Sequence, residues 1–173
     1  MITPSTHTNK SLLKEVIKQI VAKQLHPQTL ERLSAHDNIA WDIDKTLINN
    51  PNQELFYEFI KNNPQKRHVI VTYRTGGMVK NIFNELTELT KDHFDDILGV
   101  PEELYYDRKE AESLIQAGNV TPELLKDVST YRTWKGAICK KHGLTILVDD
   151  DRENAENGCK LHGIEFFYSL QQL

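Results

Sequence analysis

The chain has 173 residues, a net charge of −4 and 39% apolar residues. This length corresponds to one domain that can bury a core without disulfides or structural metals. The negative charge excludes a general attraction to nucleic acid or to acidic membranes, although a local basic groove stays compatible with it. The two cysteines, Cys139 and Cys159, form no CxxC pair, which favours a reducing compartment.

The amino terminus lacks the pattern of a secretion signal. Residues 1–7 are mostly polar, and no apolar segment of the required kind follows them. No apolar run is long enough to cross a bilayer. We therefore expect a cytoplasmic protein without a membrane partner, and the sequence indicates no particular oligomeric state.

Residues 1–36 are predicted to form a helical extension. Apolar side chains at helical spacing predict an amphipathic helix over 9–24, and a short helix follows at 27–33 with Pro27 near its first turn. The simplest interpretation is an arm packed on the core, because an apolar stripe usually packs on its own chain. A dimer contact or a helix that binds a partner is the alternative.

Residues 37–173 alternate between short apolar runs and helical patterns, without an internal repeat. Strands are predicted at 38–41, 68–72, 144–148 and 164–168, and the runs at 97–100 and 104–106 offer one or two more. The helices are predicted at 53–61, 77–89, 109–117, 122–128, 133–141 and 153–161. This alternation is typical of an α/β fold, a three-layer Rossmann-like parallel sheet with helices on both faces.

Polar side chains follow the predicted strands. Asp42 and Asp44 come after the first strand, Thr72 closes the second, and Asp149 and Asp150 follow the apolar run at 144–148. Lys135 lies one helix before that run. Because ligands of open α/β sheets bind at the carboxyl ends of the strands, we expect these groups to converge on one edge.

The converging carboxylates predict a metal site. Several carboxylates at one edge repel each other, and burial would raise their pKa values, unless a cation neutralises them. Clustered oxygen ligands with room for water suit Mg²⁺ better than zinc. The sequence offers no HExxH motif and no cysteine cluster as a competing site.

The same residues have the reactivity that phosphoryl chemistry needs. A carboxylate beside a metal can attack phosphorus, and a second carboxylate two residues along can act as acid and then as base. A hydroxyl at Thr72 and an ammonium at Lys135 can hold the phosphoryl oxygens. Arg74 is either a bidentate phosphate ligand or a surface arginine.

The segment 39–47 resembles the first motif of the haloacid dehalogenase superfamily, an apolar strand followed by DxDxT. Thr72 is similar to the second-motif residue and Lys135 to the third-motif lysine. The apolar strand that ends in Asp149 and Asp150 is similar to the fourth motif. These matches follow the order of the family and span Asp42 to Asp150, most of the chain.

The resemblance implies a Rossmann-like fold, Mg²⁺ and phosphatase activity through an aspartyl-phosphate. It implies Asp42 as the nucleophile and Asp44 as the general acid and base. It also implies metal ligation by the Asp42 side chain, the Asp44 backbone carbonyl, Asp149 and Asp150.

The chain departs from the family pattern in two places. Position 45 is Lys where Gly is commonest, and three acids run together at 149–151, which leaves the register of the fourth motif open by one residue. Helical lysines close to Lys135 are alternatives for its role, namely Lys126, Lys140 and Lys141.

The predicted cap over the site is small. Residues 47–52 are too few for a cap domain, so we expect at most a helical lid at 108–130 and an open site that admits large substrates. Candidate substrate-binding residues are Thr46, Tyr73 and Arg74. The segments 72–77, 97–101 and 149–152 loosely resemble the phosphatase domain of phage polynucleotide kinases, which implies a nucleotide or a nucleic-acid end as substrate.

Other functions are also compatible with this fold. A catalytically silent module could contact a partner through its N-terminal helices, but the intact pair of Asp42 and Asp44 favours an enzyme. Dehalogenation or phosphoryl transfer between sugars could use the same aspartate. The acid cluster disfavours dehalogenation, which needs no metal.

Overall fold

The computed structural model describes residues 27–117 and 119–171, which belong to two units that divide between Ala35 and His36. The first unit contains helix α1 (Pro27–Ser34), which agrees with the helix predicted at 27–33. The amphipathic helix predicted at 9–24 lies outside the described residues. Everything that follows concerns the second unit.

A parallel sheet of five strands forms the centre of the second unit, in the order β3-β2-β1-β4-β5. The strands are β1 (Asn38–Trp41), β2 (Arg67–Thr72), β3 (Asp96–Gly99), β4 (Ile146–Asp149) and β5 (Glu165–Tyr168). The helices are α2 (Gln53–Asn62), α3 (Gly77–Lys80), α4 (Ile82–Glu85), α5 (Arg108–Gln116), α6 (Val128–Lys141) and α7 (Ala155–His162). Three 3₁₀ turns connect them, at Lys91–His93, Glu102–Leu104 and Pro122–Leu124. The predicted α/β fold is confirmed.

The two faces of the sheet bury different side chains, because successive residues of a strand point to opposite sides. Trp41 packs against α2, with its ring centroid 5.7 Å from that of Phe56 and 6.1 Å from that of Phe59. On the other face Ala40 belongs to a buried cluster with Trp134 of α6, together with residues of α7. Helices therefore cover both faces, which completes the three layers.

The register of the sheet places the ends of β1 and β4 side by side. Trp41 pairs with Val148, and the Asp42 N–H donates to the Val148 carbonyl at 2.9 Å. Asp42 and Asp149 therefore leave the sheet at neighbouring positions. This is the edge at which a parallel sheet binds its ligands.

The helix predicted at 77–89 is wrong in its length. The chain forms two short helices, α3 and α4, separated by Asn81, and becomes extended at Leu86 (φ −83°, ψ 101°). Asparagine and threonine are weak helix formers, and Asn81, Asn84 and Thr87 all fall within this stretch. The side chain of Leu86 is buried although its backbone is extended. The apolar spacing therefore did not require a continuous helix.

The strand predicted at 104–106 and the helix predicted at 122–128 are also wrong. Tyr105 and Leu125 form an isolated antiparallel bridge instead, with hydrogen bonds from Tyr106 N–H to the Leu124 carbonyl (3.0 Å) and from Lys126 N–H to the Leu104 carbonyl (2.8 Å). The two ends of the segment 106–124, which contains α5, are thus joined by hydrogen bonds. This segment covers most of the residues 108–130 for which a lid was predicted.

The start of α6 also differs from its prediction. This helix begins at Val128 rather than at 133, because the Asp127 carboxylate caps its first turn by accepting from the Thr130 N–H at 2.9 Å. A similar aspartate, Asp107, caps α5 by accepting from the N–H groups of Lys109 and Glu110.

Helices α6 and α7 pack with their backbones in direct contact. A Cβ at Gly136 would overlap the backbone of Gly158, and a Cβ at Gly158 would lie 2.9 Å from the Thr133 carbonyl oxygen. Two glycines at one crossing point allow this approach. The contact fixes α6 against α7, and with it the side chain of Lys135.

Candidate active site

Three buried charges meet at the ends of β1 and β4. The Lys135 Nζ donates to Asp42 Oδ1 at 2.6 Å and to Asp149 Oδ2 at 2.7 Å. The exposed fractions of these residues are 1% for Lys135, 4% for Asp42 and 0% for Asp149. The structure thus brings the predicted nucleophile, the predicted lysine and one predicted metal ligand into a single hydrogen-bonded group, the charged triad.

The surroundings hold the triad in place. The second oxygen of Asp149 accepts from the Asp151 N–H at 2.8 Å. The Lys135 Nζ lies 4.5 Å from the ring centroid of Tyr73, which stacks on Tyr131 at 4.6 Å. A cation over an aromatic face is attracted to it. Tyr73, predicted to bind substrate, therefore forms part of the wall around Lys135.

Burial dominates the electrostatics of the triad. It raises the pKa of Asp42 well above its usual range, and the positive charge of Lys135 only partly offsets it. Burial likewise raises the pKa of Asp149. Burial alone would lower the pKa of Lys135, but the carboxylates of Asp149 and Asp42 raise it well above its usual value. Lys135 is therefore a permanent cation shared by two carboxylates.

Asp150 adds a third carboxylate. One oxygen from each of Asp42, Asp149 and Asp150 lies within 4.8 Å of the others, a spacing that a single metal ion can bridge. Burial, followed by the charge of Asp149, raises the pKa of Asp150 to about 6. Lys135 supplies one positive charge, so ionising all three carboxyl groups would leave an excess of negative charge at this edge.

Asp151, the third acid of the run, has a different role. One of its oxygens accepts from the N–H groups of Glu153 (3.0 Å) and Asn154 (2.9 Å), which shapes the turn before α7. It is not among the three carboxylates that approach one another. The geometry therefore selects Asp149 and Asp150 as the pair that faces Asp42.

Asp44, the predicted acid and base, lies on the loop after β1 and is exposed. Its carboxylate accepts two hydrogen bonds from Arg74, at 2.9 Å from Nε and at 2.7 Å from one terminal nitrogen. Arg74 also donates to both oxygens of Glu85, at 2.5 and 2.9 Å. No sequence pattern singles out Glu85, because an acid in a predicted helix usually faces solvent.

The two threonines predicted for the site are buried. The Thr72 hydroxyl oxygen accepts from the Arg74 N–H at 3.2 Å at the end of β2. The Thr46 hydroxyl donates to Ser169 Oγ at 3.1 Å, and Ser169 donates in turn to the Lys45 carbonyl at 3.0 Å. With an exposed fraction of 0%, Thr46 anchors the loop that carries Asp44 rather than facing a substrate.

The alternatives for Lys135 do not share its position. Lys126, Lys140 and Lys141 are all exposed, whereas Lys135 is buried between two carboxylates.

Among the residues that the structure describes, no helix has the length and apolar content needed to span a membrane.

Comparisons with known proteins find a similar solved structure but no named family or function. No protein-family model and no curated protein matches the chain. A similar solved structure is the crystal structure of an uncharacterised protein from Corynebacterium glutamicum, with a TM-score of 0.45 and 15% identity over 79% of this chain and 86% of that chain. A similarity of this degree says nothing about activity.

Proposed function

We propose that this protein is a Mg²⁺-dependent phosphatase that hydrolyses phosphomonoesters through an aspartyl-phosphate on Asp42. The observation that carries the proposal is the group of three carboxylates within 4.8 Å, which Lys135 neutralises only in part. Full ionisation of this group would be costly without a further cation, because buried charges without partners destabilise a fold. A bound cation would relieve this cost.

The donor set fits Mg²⁺. Asp42, Asp149 and Asp150 offer hard carboxylate oxygens, which magnesium prefers. The resemblance to the haloacid dehalogenase superfamily adds the backbone carbonyl of Asp44 to these ligands. Bound there, the ion would neutralise the carboxylates and polarise the phosphoryl group.

The first half of the reaction uses two carboxylates. Lys135 binds Asp42 Oδ1, which leaves Oδ2 available to attack phosphorus. As the new bond forms, the bond between phosphorus and the alcohol oxygen breaks, and the departing oxygen takes a proton from Asp44. Lys135 stabilises negative charge that develops at the phosphoryl oxygens.

The second half regenerates the enzyme. Asp44, now a carboxylate, accepts a proton from a water molecule that attacks phosphorus. The bond between phosphorus and the Asp42 oxygen breaks, which releases inorganic phosphate and restores the Asp42 carboxylate. The proton that Asp44 takes from water in the second half replaces the one that it gave to the alcohol oxygen in the first.

The substrate that we propose is a nucleotide or a phosphorylated nucleic-acid end, with small phosphomonoesters as the alternative. The loose resemblance to phage polynucleotide kinase phosphatases and the small size of the segment 106–124 support this substrate.

We also propose a cytoplasmic location, because both cysteines are free thiols.

Ligand binding and catalysis test the proposal together. Beryllofluoride, which mimics a phosphoryl group on aspartate, should raise the melting temperature in the presence of Mg²⁺, because it binds the native state. The protein should also hydrolyse an aryl phosphate with Mg²⁺ and lose this activity with EDTA. No thermal shift and no hydrolysis would instead support a catalytically silent module. A panel of nucleotides, sugar phosphates and 3′-phosphorylated oligonucleotides would then identify the substrate class.

A further inference from the structure

Arg74 lies between two carboxylates and is itself buried, with an exposed fraction of 6%. On one side its Nε and one terminal nitrogen grip both oxygens of Asp44. On the other side its two terminal nitrogens grip both oxygens of Glu85. Bidentate pairs of this kind fix geometry as well as contributing energy.

These contacts use almost all the hydrogen-bonding capacity of Arg74. A guanidinium has five N–H donors, and four of them are engaged by Asp44 and Glu85. A single N–H on one terminal nitrogen remains. Arg74 therefore cannot grip a phosphate bidentately without releasing one of its carboxylates.

We propose that Arg74 and Glu85 are positioning residues that hold Asp44 in the orientation for proton transfer. This inference rests on the proposed phosphatase function, in which Asp44 is the acid and base. Arg74 acts by gripping Asp44, and Glu85 acts by fixing Arg74. Neither residue needs to touch the phosphoryl group.

Asp44 needs such support because its own surroundings do not fix it. Its side chain is 56% exposed, and the next residue, Lys45, has a left-handed backbone (φ 54°). Each carboxylate oxygen can accept more than one hydrogen bond, so the grip of Arg74 leaves a site on Asp44 for the proton in transfer. A catalytic group held in one orientation avoids an entropic cost in the transition state.

Glu85 and Thr72 fix Arg74 from two directions. Glu85 is the last residue of α4, and its carboxylate meets the far side of the guanidinium. The Thr72 hydroxyl oxygen accepts from the Arg74 backbone N–H at the end of β2. The chain of contacts from β2 to Asp44 thus runs separately from the triad of Lys135, Asp42 and Asp149.

A series of aryl phosphates separates positioning from other roles. Dinitrophenolate leaves without a proton, whereas phenolate needs one from the general acid, and kcat/KM reports on the step that expels it. We would measure kcat/KM for dinitrophenyl, nitrophenyl and phenyl phosphate in the wild type, Glu85→Gln and Arg74→Lys. Glu88→Gln is a matched control, because Glu88 follows α4 and pairs with Lys61 of α2 instead.

Both Glu85→Gln and Arg74→Lys should lose about tenfold or more of kcat/KM on phenyl phosphate and much less on dinitrophenyl phosphate, since general acid catalysis contributes about 10²–10⁴-fold. Glu88→Gln should match the wild type on every ester. Equal losses across the series would overturn the inference and indicate phosphate binding or a structural role. Unchanged kcat/KM on all esters in Glu85→Gln would overturn it too.

A crystal structure of Glu85→Gln provides a readout that does not depend on turnover. We expect Asp44 in more than one orientation in the variant and gripped by Arg74 in the wild type. A single, unchanged Asp44 orientation in the variant would overturn the role of Glu85. If the wild type hydrolyses none of the esters, both the proposed function and this inference are refuted. If the wild type hydrolyses them and the variants lose equal activity on all esters, only the inference is refuted.

Discussion

Two buried polar clusters belong to the same sheet, and they solve the problem of burial in different ways. Near the start of β2, the His68 ring accepts a hydrogen bond from Trp41 Nε1 at 3.1 Å on Nδ1 and lies 3.0 Å from the Asn63 carbonyl through Nε2. At the ends of β1 and β4, Lys135 is shared by Asp42 and Asp149, with Asp150 beside them.

The first cluster is neutral and complete. With Nδ1 as acceptor and Nε2 as donor, each ring nitrogen of His68 has its partner, and burial lowers the pKa of the ring so that it stays uncharged. The second cluster is charged and incomplete, since its carboxylates outnumber its cation. The satisfied network supports the fold, whereas the unbalanced one lies at the edge where parallel sheets bind ligands and supports the metal site that we propose.

The largest expected effect is on catalysis. Asp42→Asn should reduce Mg²⁺-dependent aryl phosphate hydrolysis on the order of 10³-fold or more, because the attacking oxygen is lost. The melting temperature should not fall, since the change also removes charge repulsion. Turnover assays and thermal denaturation check both statements, with the exposed Asp37→Asn as control. Full turnover in Asp42→Asn would refute the assignment of the nucleophile.

The next effect is on stability. Lys135→Met leaves two buried carboxylates without their cation, which should cost about 3–5 kcal/mol of unfolding free energy. Lys140→Met, on the exposed side of the same helix, should cost far less, and urea denaturation measures both. Mg²⁺ should restore part of the loss in Lys135→Met. Equal losses in the two variants would mean that the triad has no energetic importance.

Asp150 should make stability fall as the pH rises. Its pKa is about 6 in the folded protein against an ordinary value of 3.8, so the folded state binds more protons between these values. Its contribution is fully present below pH 3.8 and is lost as the pH rises through about 6. In buffer without Mg²⁺, the difference in unfolding free energy between the wild type and Asp150→Asn should show this decline from about pH 4 to 6. A constant difference would contradict the burial of Asp150.

His68 should act in the opposite direction and more weakly. Because its pKa is lowered in the folded state from 6.5, its contribution is present above pH 6.5 and is lost as the pH falls through the folded value. The stability of the wild type relative to His68→Gln should therefore decrease on acidification below that point. Denaturant titrations at several pH values check this. A relative stability that rose on acidification would mean that the ring is charged in the fold.

The sequence predicted the sheet well because each strand is a short apolar run. The strand 38–41 matches β1, and 68–72 matches β2 within one residue. It predicted 77–89 less well, since Leu86 and Leu89 are buried without a helix that reaches them. The spacing of apolar residues indicates which side chains are buried, but it does not determine the backbone conformation of the segment.

The site was predictable where strand ends determine it. Asp42 and Asp149 converge because β1 and β4 are neighbours, and Lys135 reaches them because α6 precedes β4. The pairing of Arg74 with Asp44 and Glu85 was not predictable, because it depends on where α4 ends. The burial of Thr46 against Ser169 depends likewise on a contact between segments far apart in the chain.

The bridge between Tyr105 and Leu125 affects where the chain of this domain can change in length during evolution. Residues 106–124 leave and re-enter the domain at one point, so insertions or exchanges there need not displace β3 or α6. Changes in this segment can therefore accumulate while the sheet keeps Asp42, Asp149 and Lys135 in place. We expect homologous chains to differ most in length between these two residues.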